Sequence, residues 1–453
     1  MRIIIAGLGH TGRILAKILK DDGHSIVAVD TDPVAVAQAE TDFNISGIVG
    51  HAAMSDTLVS AGAERADLFI AATDQDERNI LSCLSAKHVG VGHVAAVTHS
   101  AEFISEMPYF STICGIDMIF NPEYETALEI SRAIRISSAV NVISFAGGRA
   151  ELAHVTVCEG AEIIGKSLAA IRMSSRLAVL VCAVKRNGSV IIPDGRFVIQ
   201  CSDEIYITGP HEDIYSFMKM IGMPSQKIKN VMIIGDSNVA LFLAHELEMS
   251  GIGVKLIDKD KIRCEKISKM LKKTRVICND PFEDKFLTDM GIMSADSVMA
   301  LSRKDEDNVI MAMYANKIGA KKIITKLSKG PLSSMLPNLG YNSAVMSEQK
   351  TLSRIALSYV RALSETLSSA VGTVCKIAGG GAEIVEFIAK PGFAYAGIPL
   401  MKLDIRSGLL VAGIVRGKEV LHPNGMTSIL EGDRVIIVSS GEPMRSLNDI
   451  IVK

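Results

Sequence analysis

At 453 residues, 48% of them hydrophobic and 22% charged, the chain is too long for one ordinary core and too apolar for disorder. Two to four packed domains are expected. A net charge of -2 gives no electrostatic case for nucleic acid, and no apolar run approaches the roughly 18 residues that cross a bilayer, so a cytoplasmic protein is expected.

In chain order, short apolar runs at 3–6, 26–29, 45–49, 68–72, 93–97 and 118–120 read as strands buried on both faces. Between them, 12–20, 33–39, 55–61 and 76–87 carry helical spacing or caps, as where Asp32 precedes Pro33. This alternation predicts a parallel sheet covered on both sides. Residues 121–137 then read as an amphipathic helix that crosses to another subdomain or protomer. Residues 151–209 change character, with turn signals RNG at 186–188 and PDG at 193–195 between alternating segments, and predict a small β-rich module.

The sequence then restarts. Gly7 falls on Gly235 and Asp30 on Asp258, each 228 positions later. Residues 229–345 repeat the βα pattern, 347–361 supply a second crossover helix, and 383–440 repeat the small module. The fold class expected is α/β: two tandem Rossmann-like parallel-sheet domains, each followed by a small β-rich α+β lobe. The boundaries are 1–139, 140–225, 226–365 and 366–453. The basic stretch 266–275 reads as a solvated helix face.

Gly7-Leu8-Gly9-His10-Thr11-Gly12 fits G-x-G-x-x-G between a strand and a helix, with Asp30 closing the next strand. Gly7 allows the tight turn, Gly9 lets the backbone approach a pyrophosphate, and Gly12 lets helix and strand pack closely. The helix N-terminus faces the anion, and Asp30 accepts hydrogen bonds from ribose hydroxyls, which disfavours a 2′-phosphate. Arg13 either adds charge near the phosphates or is a solvated helix residue. Thr73 and Asp74 lie on the carboxyl edge of the fourth strand, where open α/β sheets bind ligands; Asp74 is equally a candidate cap for the next helix. His51, after the third strand, lies beside an adenine or is a plain loop histidine.

The second copy reads Gly235-Asp236-Ser237-Asn238-Val239-Ala240, with a carboxylate where phosphates would sit. Asp258 is retained, and the second site is expected to be impaired or empty. Histidines and cysteines show no metal-ligand spacing, the eight cysteines form no C-x-x-C pair, and no catalytic constellation is evident.

With this order of domains, GLGHTG, Asp30 and the AATDQDERN segment at 71–79 (echoed by ALSRKDEDN at 300–308), the chain resembles the Trk-system potassium uptake regulatory proteins. These are built from two tandem RCK units, regulators of potassium conductance. The resemblance implies a protein that catalyses nothing. It would bind NAD(H), or alternatively ATP or ADP, at Gly7, Gly9, Gly12 and Asp30 with Thr73 close by. It further implies a homo-oligomeric ring, tetrameric in the simplest case, on the cytoplasmic face of a membrane potassium transporter of the TrkH/TrkG type. The chain departs from the family at Gly50-His51, where Gly-Asp is often found. A soluble NAD-dependent oxidoreductase is the alternative, but it accounts for neither the duplication nor the small modules.

Overall fold

The computed structural model describes residues 1–135, 141–146, 149–175, 177–221, 228–283, 285–328, 332, 343–363, 369–441 and 443–451. The chain begins with β1 (Arg2–Ala6), α1 (His10–Asp21), β2 (Ser25–Asp30), α2 (Pro33–Phe43), β3 (Ser46–Val49) and α3 (Ser55–Ser60). It continues through β4 (Leu68–Ala71), α4 (Asp76–Val89), β5 (His93–Val97), α5 (Ala101–Cys114), β6 (Met118–Phe120) and α6 (Pro122–Arg135). The six strands pair in parallel in the order β3-β2-β1-β4-β5-β6. The order reverses between β1 and β4, so the crevice at their carboxyl ends is where this architecture accepts ligands.

The strands form as their composition dictates. Ile3, Ile4 and Ile5 are fully buried, covered on both faces of the sheet. Helix α1 turns Leu15, Ala16 and Leu19 inward while Lys17 and Lys20 stay at the surface. Helix α2 starts as its sequence requires, with the Asp32 carboxylate accepting from Val34 N at 2.8 Å and Pro33 at the first helical position.

The first small lobe contains β7 (Asn141–Phe145), β8 (Ala150–Thr156), α7 (Leu168–Ser175), β9 (Leu180–Arg186), β10 (Ser189–Ile191), β11 (Glu204–Gly209) and α8 (His211–Met220). Its sheet is antiparallel, in the order β10-β9-β11-β8-β7. The second parallel sheet follows, with β12 (Asn230–Ile234), α9 (Asn238–Met249), β13 (Gly253–Asp258), α10 (Lys261–Met270), β14 (Arg275–Cys278) and α11 (Phe286–Asp289). β15 (Ser297–Ala300), α12 (Asp305–Ile318), β16 (Ile323–Lys326), β17 (Ser343–Met346) and the long helix α13 (Glu348–Leu363) complete it. Its order, β14-β13-β12-β15-β16-β17, repeats the first. The last lobe contains β18 (Ser369–Ile377), β19 (Ala382–Ala389), β20 (Leu409–Arg416), β21 (Glu419–Leu421) and β22 (Arg434–Ser439), antiparallel in the order β18-β19-β22-β20-β21.

The basic stretch at 266–275 is helical only as far as Met270; Leu271 leaves the helix with extended backbone angles and Arg275 opens β14. Its charges therefore do not form one helical face. Helix α5 was given no element by the sequence pattern, and Pro108 in its interior explains why.

The chain divides into two compact units. One comprises Met1–Thr126 with Glu348–Leu357, the other Ala127–Ser347 with Ser358–Lys453. Each crossover helix is thus shared between units, α6 from Ala127 onward and α13 up to Leu357. Within the second unit the two antiparallel lobes share one apolar cluster that includes Phe145, Leu152, Ile384, Ala412 and Val438. The Tyr206 hydroxyl accepts from Ala378 N at 3.0 Å across that cluster. Further along α13, Arg361 donates to both Glu383 carboxylate oxygens, at 2.7 and 2.9 Å, with the two side chains only 8% and 7% exposed.

Removing one partner from such a buried pair strands the other charge. Arg361→Met is expected to destabilise the protein by about 3 kcal/mol, whereas a paired Arg361→Met, Glu383→Leu replacement recovers much of the loss. Chemical denaturation of the three proteins checks this; equal stability of the single variant and the parent would refute it.

Candidate functional site

The turn from β1 into α1 cannot be built from ordinary residues. Gly7 has φ +94°, and a Cβ placed there would lie 2.7 Å from the Ala72 carbonyl oxygen. A Cβ on Gly12 would lie 1.8 Å from the Gly7 carbonyl oxygen, so only glycine lets α1 start this close to the strand. Gly9 differs from both, since a Cβ there would meet nothing within 4 Å. Its missing side chain leaves open space at the helix N-terminus. No acidic residue stands in the first turn of α1 and no side chain caps it, so its amides and positive dipole end face that space.

Two cavities open there. One, of about 280 Å³, is lined by Gly7, Gly9, Asp30, His51, Thr73, Asp74 and Arg78, among others. The other, of about 250 Å³, shares Gly9, Thr73 and Asp74 and is lined further by His10, Thr11, His99, Glu123 and Glu348. Leu8 contributes through its main chain: its N–H donates to Asp30 Oδ2 at 2.5 Å, while Asp32 N donates to Oδ1 at 3.0 Å. Asp30 is thereby fixed at the end of β2, half-buried, with its carboxylate still on the cavity wall. Gly12 packs beneath the turn rather than lining either cavity.

The remaining candidates resolve as follows. Asp74 does not cap α4; the cap position is Gln75, with no side-chain bond, and Asp74 is an exposed wall residue of both cavities. His51 lines the larger cavity, its Nδ1 accepting from Ala53 N at 3.2 Å. Arg13 is turned away, paired with Asp42 at 2.5 Å and lying 5.3 Å from the Phe43 ring centre. Thr73 is held by Asn79, whose Oδ1 accepts from the Thr73 hydroxyl at 2.6 Å and from its N–H at 2.9 Å.

Arg78, His99, Glu123 and Glu348 are wall residues that the sequence pattern did not single out. Arg78 and Asn79 both belong to the AATDQDERN segment, the one signal that pointed there. His99 Nδ1 lies 3.0 Å from Glu123 Oε1. Burial works against protonation of this imidazole, but the Glu123 carboxylate outweighs it and raises the pKa.

The second turn has been rebuilt. Ser237 replaces the open glycine: its hydroxyl donates to the Leu301 carbonyl and accepts from Ala240 N at 3.3 Å, capping α9 from within. Asp236 accepts from Arg303 N at 2.9 Å and pairs with Arg303 Nε at 3.0 Å. Burial acts to raise the Asp236 pKa, yet these Arg303 donors prevail and hold it below the usual carboxylate range. Asp258 is 1% exposed and pairs with Arg263 Nε at 3.0 Å, while Arg263 Nη2 donates to the Ser237 carbonyl at 2.6 Å. Burial pushes the Asp258 carboxyl upward. A cavity of about 410 Å³ remains, lined by Gly235, Asp236, Phe282, Arg303, Lys304 and neighbours. Its helix terminus, however, is occupied by the protein's own groups. Among the described residues no cluster of His, Cys, Asp and Glu could hold a metal ion.

The sequence matches the TrkA-N domain model over residues 3–122 and 231–347, and the TrkA-C domain model over 152–222 and 384–452. The chain belongs to the TrkA family. The Trk system potassium uptake protein TrkA homolog of Archaeoglobus fulgidus is 29% identical over 99% of this chain and 100% of its own length. The Trk system potassium uptake protein TrkA of Vibrio alginolyticus is 29% identical over 96% of this chain and 95% of its own. Among solved structures, the GsuK channel bound to NAD superposes with a TM-score of 0.61 at 18% identity, covering 97% of this chain and 76% of that one. At that identity it corroborates the fold, two parallel-sheet domains each followed by an antiparallel lobe.

Gly9 and Gly12 are expected to separate on substitution. Gly9→Asp places a good N-cap residue in open space, so the melting temperature should hold, while its charge at the anion cradle weakens binding of ADP-ribose at least tenfold. Gly12→Ala should instead destabilise the fold by about 2 kcal/mol or more, because backbone must move. Thermal melts and calorimetry of both variants make the comparison; equal melting of the two would refute the assignment.

Proposed function

We propose that this TrkA-family chain is the nucleotide-responsive regulatory subunit of a potassium uptake system, with its nucleotide site in the first parallel-sheet lobe. The observation that carries the reading is the asymmetry of the two turns: an open glycine cradle at Gly9, and at Ser237 a cradle filled by protein groups. The first fits a diphosphate-linked adenosine, with Gly7 and Gly9 at the phosphates, Asp30 at the ribose and Thr73, Asp74 and His51 on the walls. NAD(H) is the ligand best matched by cavities on both sides of Gly9; ATP or ADP would use the larger one. The NAD named for the GsuK structure supports the same ligand class.

In this reading the protein performs no chemistry on its ligand. It assembles as a homo-oligomeric ring, four chains presenting eight RCK units, against the cytoplasmic side of a membrane transporter of the TrkH/TrkG type. Among the described residues no helix is long and apolar enough to cross a membrane, so the membrane-spanning path belongs to the partner. Bound nucleotide favours one ring geometry only by the difference between its affinities for the two geometries. Moving an equilibrium from 1:99 to 99:1 takes about 5.5 kcal/mol, which several protomers acting together supply more readily than one.

Asp30→Asn keeps an acceptor oxygen for only one of the Leu8 and Asp32 amides and removes the charge. It is expected to weaken nucleotide binding roughly tenfold and to shift or abolish nucleotide-dependent potassium uptake, while the lost hydrogen bond costs only about 1 kcal/mol of stability and leaves the protein folded. Uptake regulated normally in this variant would place the site elsewhere. Reduced-nicotinamide absorbance should stay constant during incubation with candidate carbonyl substrates; turnover would favour an oxidoreductase instead.

A further inference from the structure

Two of the eight cysteines meet in the second parallel-sheet lobe, although nothing in their sequence spacing announces it. Cys278 ends β14, where the parallel register sets it against Asp258, the last residue of β13. Cys264 lies in the first turn of α10, its N–H donating to the Asp260 carbonyl at 2.9 Å. The connection from β13 to α10 is short, and both sulfurs fall on it. Cys264 Sγ donates to the Asp258 carbonyl at 3.3 Å, and Cys278 Sγ lies 4.0 Å from the Lys259 carbonyl. The two thiols are hydrogen-bonding neighbours of each other, and both are free. Sulfurs already side by side need little backbone movement to be bridged.

Their surroundings give the two sulfurs different roles. Cys278 is exposed, so it is the one that an oxidant reaches. Cys264 is only 5% exposed. Burial, with the Cys278 sulfur beside it, pushes the Cys264 thiol up to about 12, so it stays protonated and does not react first.

We propose that Cys278 and Cys264 form a peroxide-sensing pair, the first attacking the oxidant and the second resolving, which closes to a disulfide between β14 and α10. The Cys278 thiolate attacks one oxygen of hydrogen peroxide; the O–O bond breaks, and hydroxide leaves as water with the thiol's proton. The Cys264 sulfur then attacks the sulfenic acid so formed. The S–O bond breaks, and the hydroxyl leaves as a second water with the Cys264 proton. In sum, two thiols are oxidised to one disulfide and one peroxide is reduced to two waters. The Asp258 carbonyl loses its thiol donor but keeps Asn279 N at 3.1 Å.

The bridge fastens the helix that carries Arg263. That side chain pairs with Asp258 and donates to the Ser237 carbonyl, which ties α10 to the turn before α9. Oxidation therefore braces β14, α10 and the filled turn together, along the wall that Asp258 and Lys259 give to the cavity of about 410 Å³. The site belongs to the second lobe and does not depend on the nucleotide reading.

Full-length protein treated with hydrogen peroxide and mapped by mass spectrometry tests the proposal. Cys264 and Cys278 are expected to lose their thiols together, in a cross-linked peptide about 2 Da lighter than its two parts, and dithiothreitol should reverse it. Cys278→Ser should slow loss of the Cys264 thiol by roughly tenfold or more, and Cys264→Ser should leave Cys278 as a sulfenic acid that dimedone traps. Four results would each overturn the pairing: both thiols surviving peroxide, Cys278 passing to sulfinic acid without a cross-link in the parent, a cross-link from either residue to Cys201 or another cysteine instead, or unchanged Cys264 oxidation in the Cys278→Ser protein.

Discussion

One steric fact governs the first parallel-sheet lobe: α1 starts so close to the turn before it that no side chain fits at Gly7 or Gly12. The Gly7 carbonyl stands where a side chain on Gly12 would begin, and the Ala72 carbonyl stands where one on Gly7 would. Without side chains at those points, α1 aims its free amides across the carboxyl edge of β1 and β4. The parallel sheet, the reversal of strand order and the buried isoleucines of β1 are what hold that turn in place. The anion affinity proposed for this point would be a property of backbone, so substitution would erode it mainly through bulk or charge.

The second half shows what happens when the same scaffold is released from that requirement. Its sheet order is the same, and so is the tie that stiffens the edge: Asn79 donates to the Thr73 and Val97 carbonyls, and Asn308 donates to those of Ser302 and Lys326. The polar groups at the helix terminus are engaged internally instead: the Ser237 hydroxyl accepts from Ala240 N, Arg263 donates to the Ser237 carbonyl, and Arg303 pairs with Asp236. Internal donors offset part of the desolvation penalty of this polar crevice, though burial still pushes the Asp258 carboxyl upward. The architecture of the first sheet is kept in the second, while the groups at its helix terminus are different.

Much of this was legible in the chain, because local and repeated signals were strong. The strand pattern, the glycine spacing, Asp30 and the repeat at 228 residues each depend on short stretches read in order. The walls of the second cavity were not legible, since His99, Glu123 and Glu348 come together only through the packing of elements far apart in sequence. Asp74 looked equally like a cap or a ligand residue, and the difference lay in a backbone turn that places the cap at Gln75. Arg13 was ambiguous until Asp42 and Phe43 were seen to claim it. Charge seen along a line does not reveal what it faces.

The sharing of both connecting helices between compact units has a practical meaning for the gene. A polypeptide severed near residue 225 would leave the amino-terminal fragment without Glu348–Leu357 and the carboxyl-terminal one without the part of its unit that runs from Ala127 to the cut. Neither product would inherit a complete unit, even though the sequence looks like two copies end to end. A split version of the protein is therefore expected to need both fragments together, because each supplies a segment of the other's compact unit.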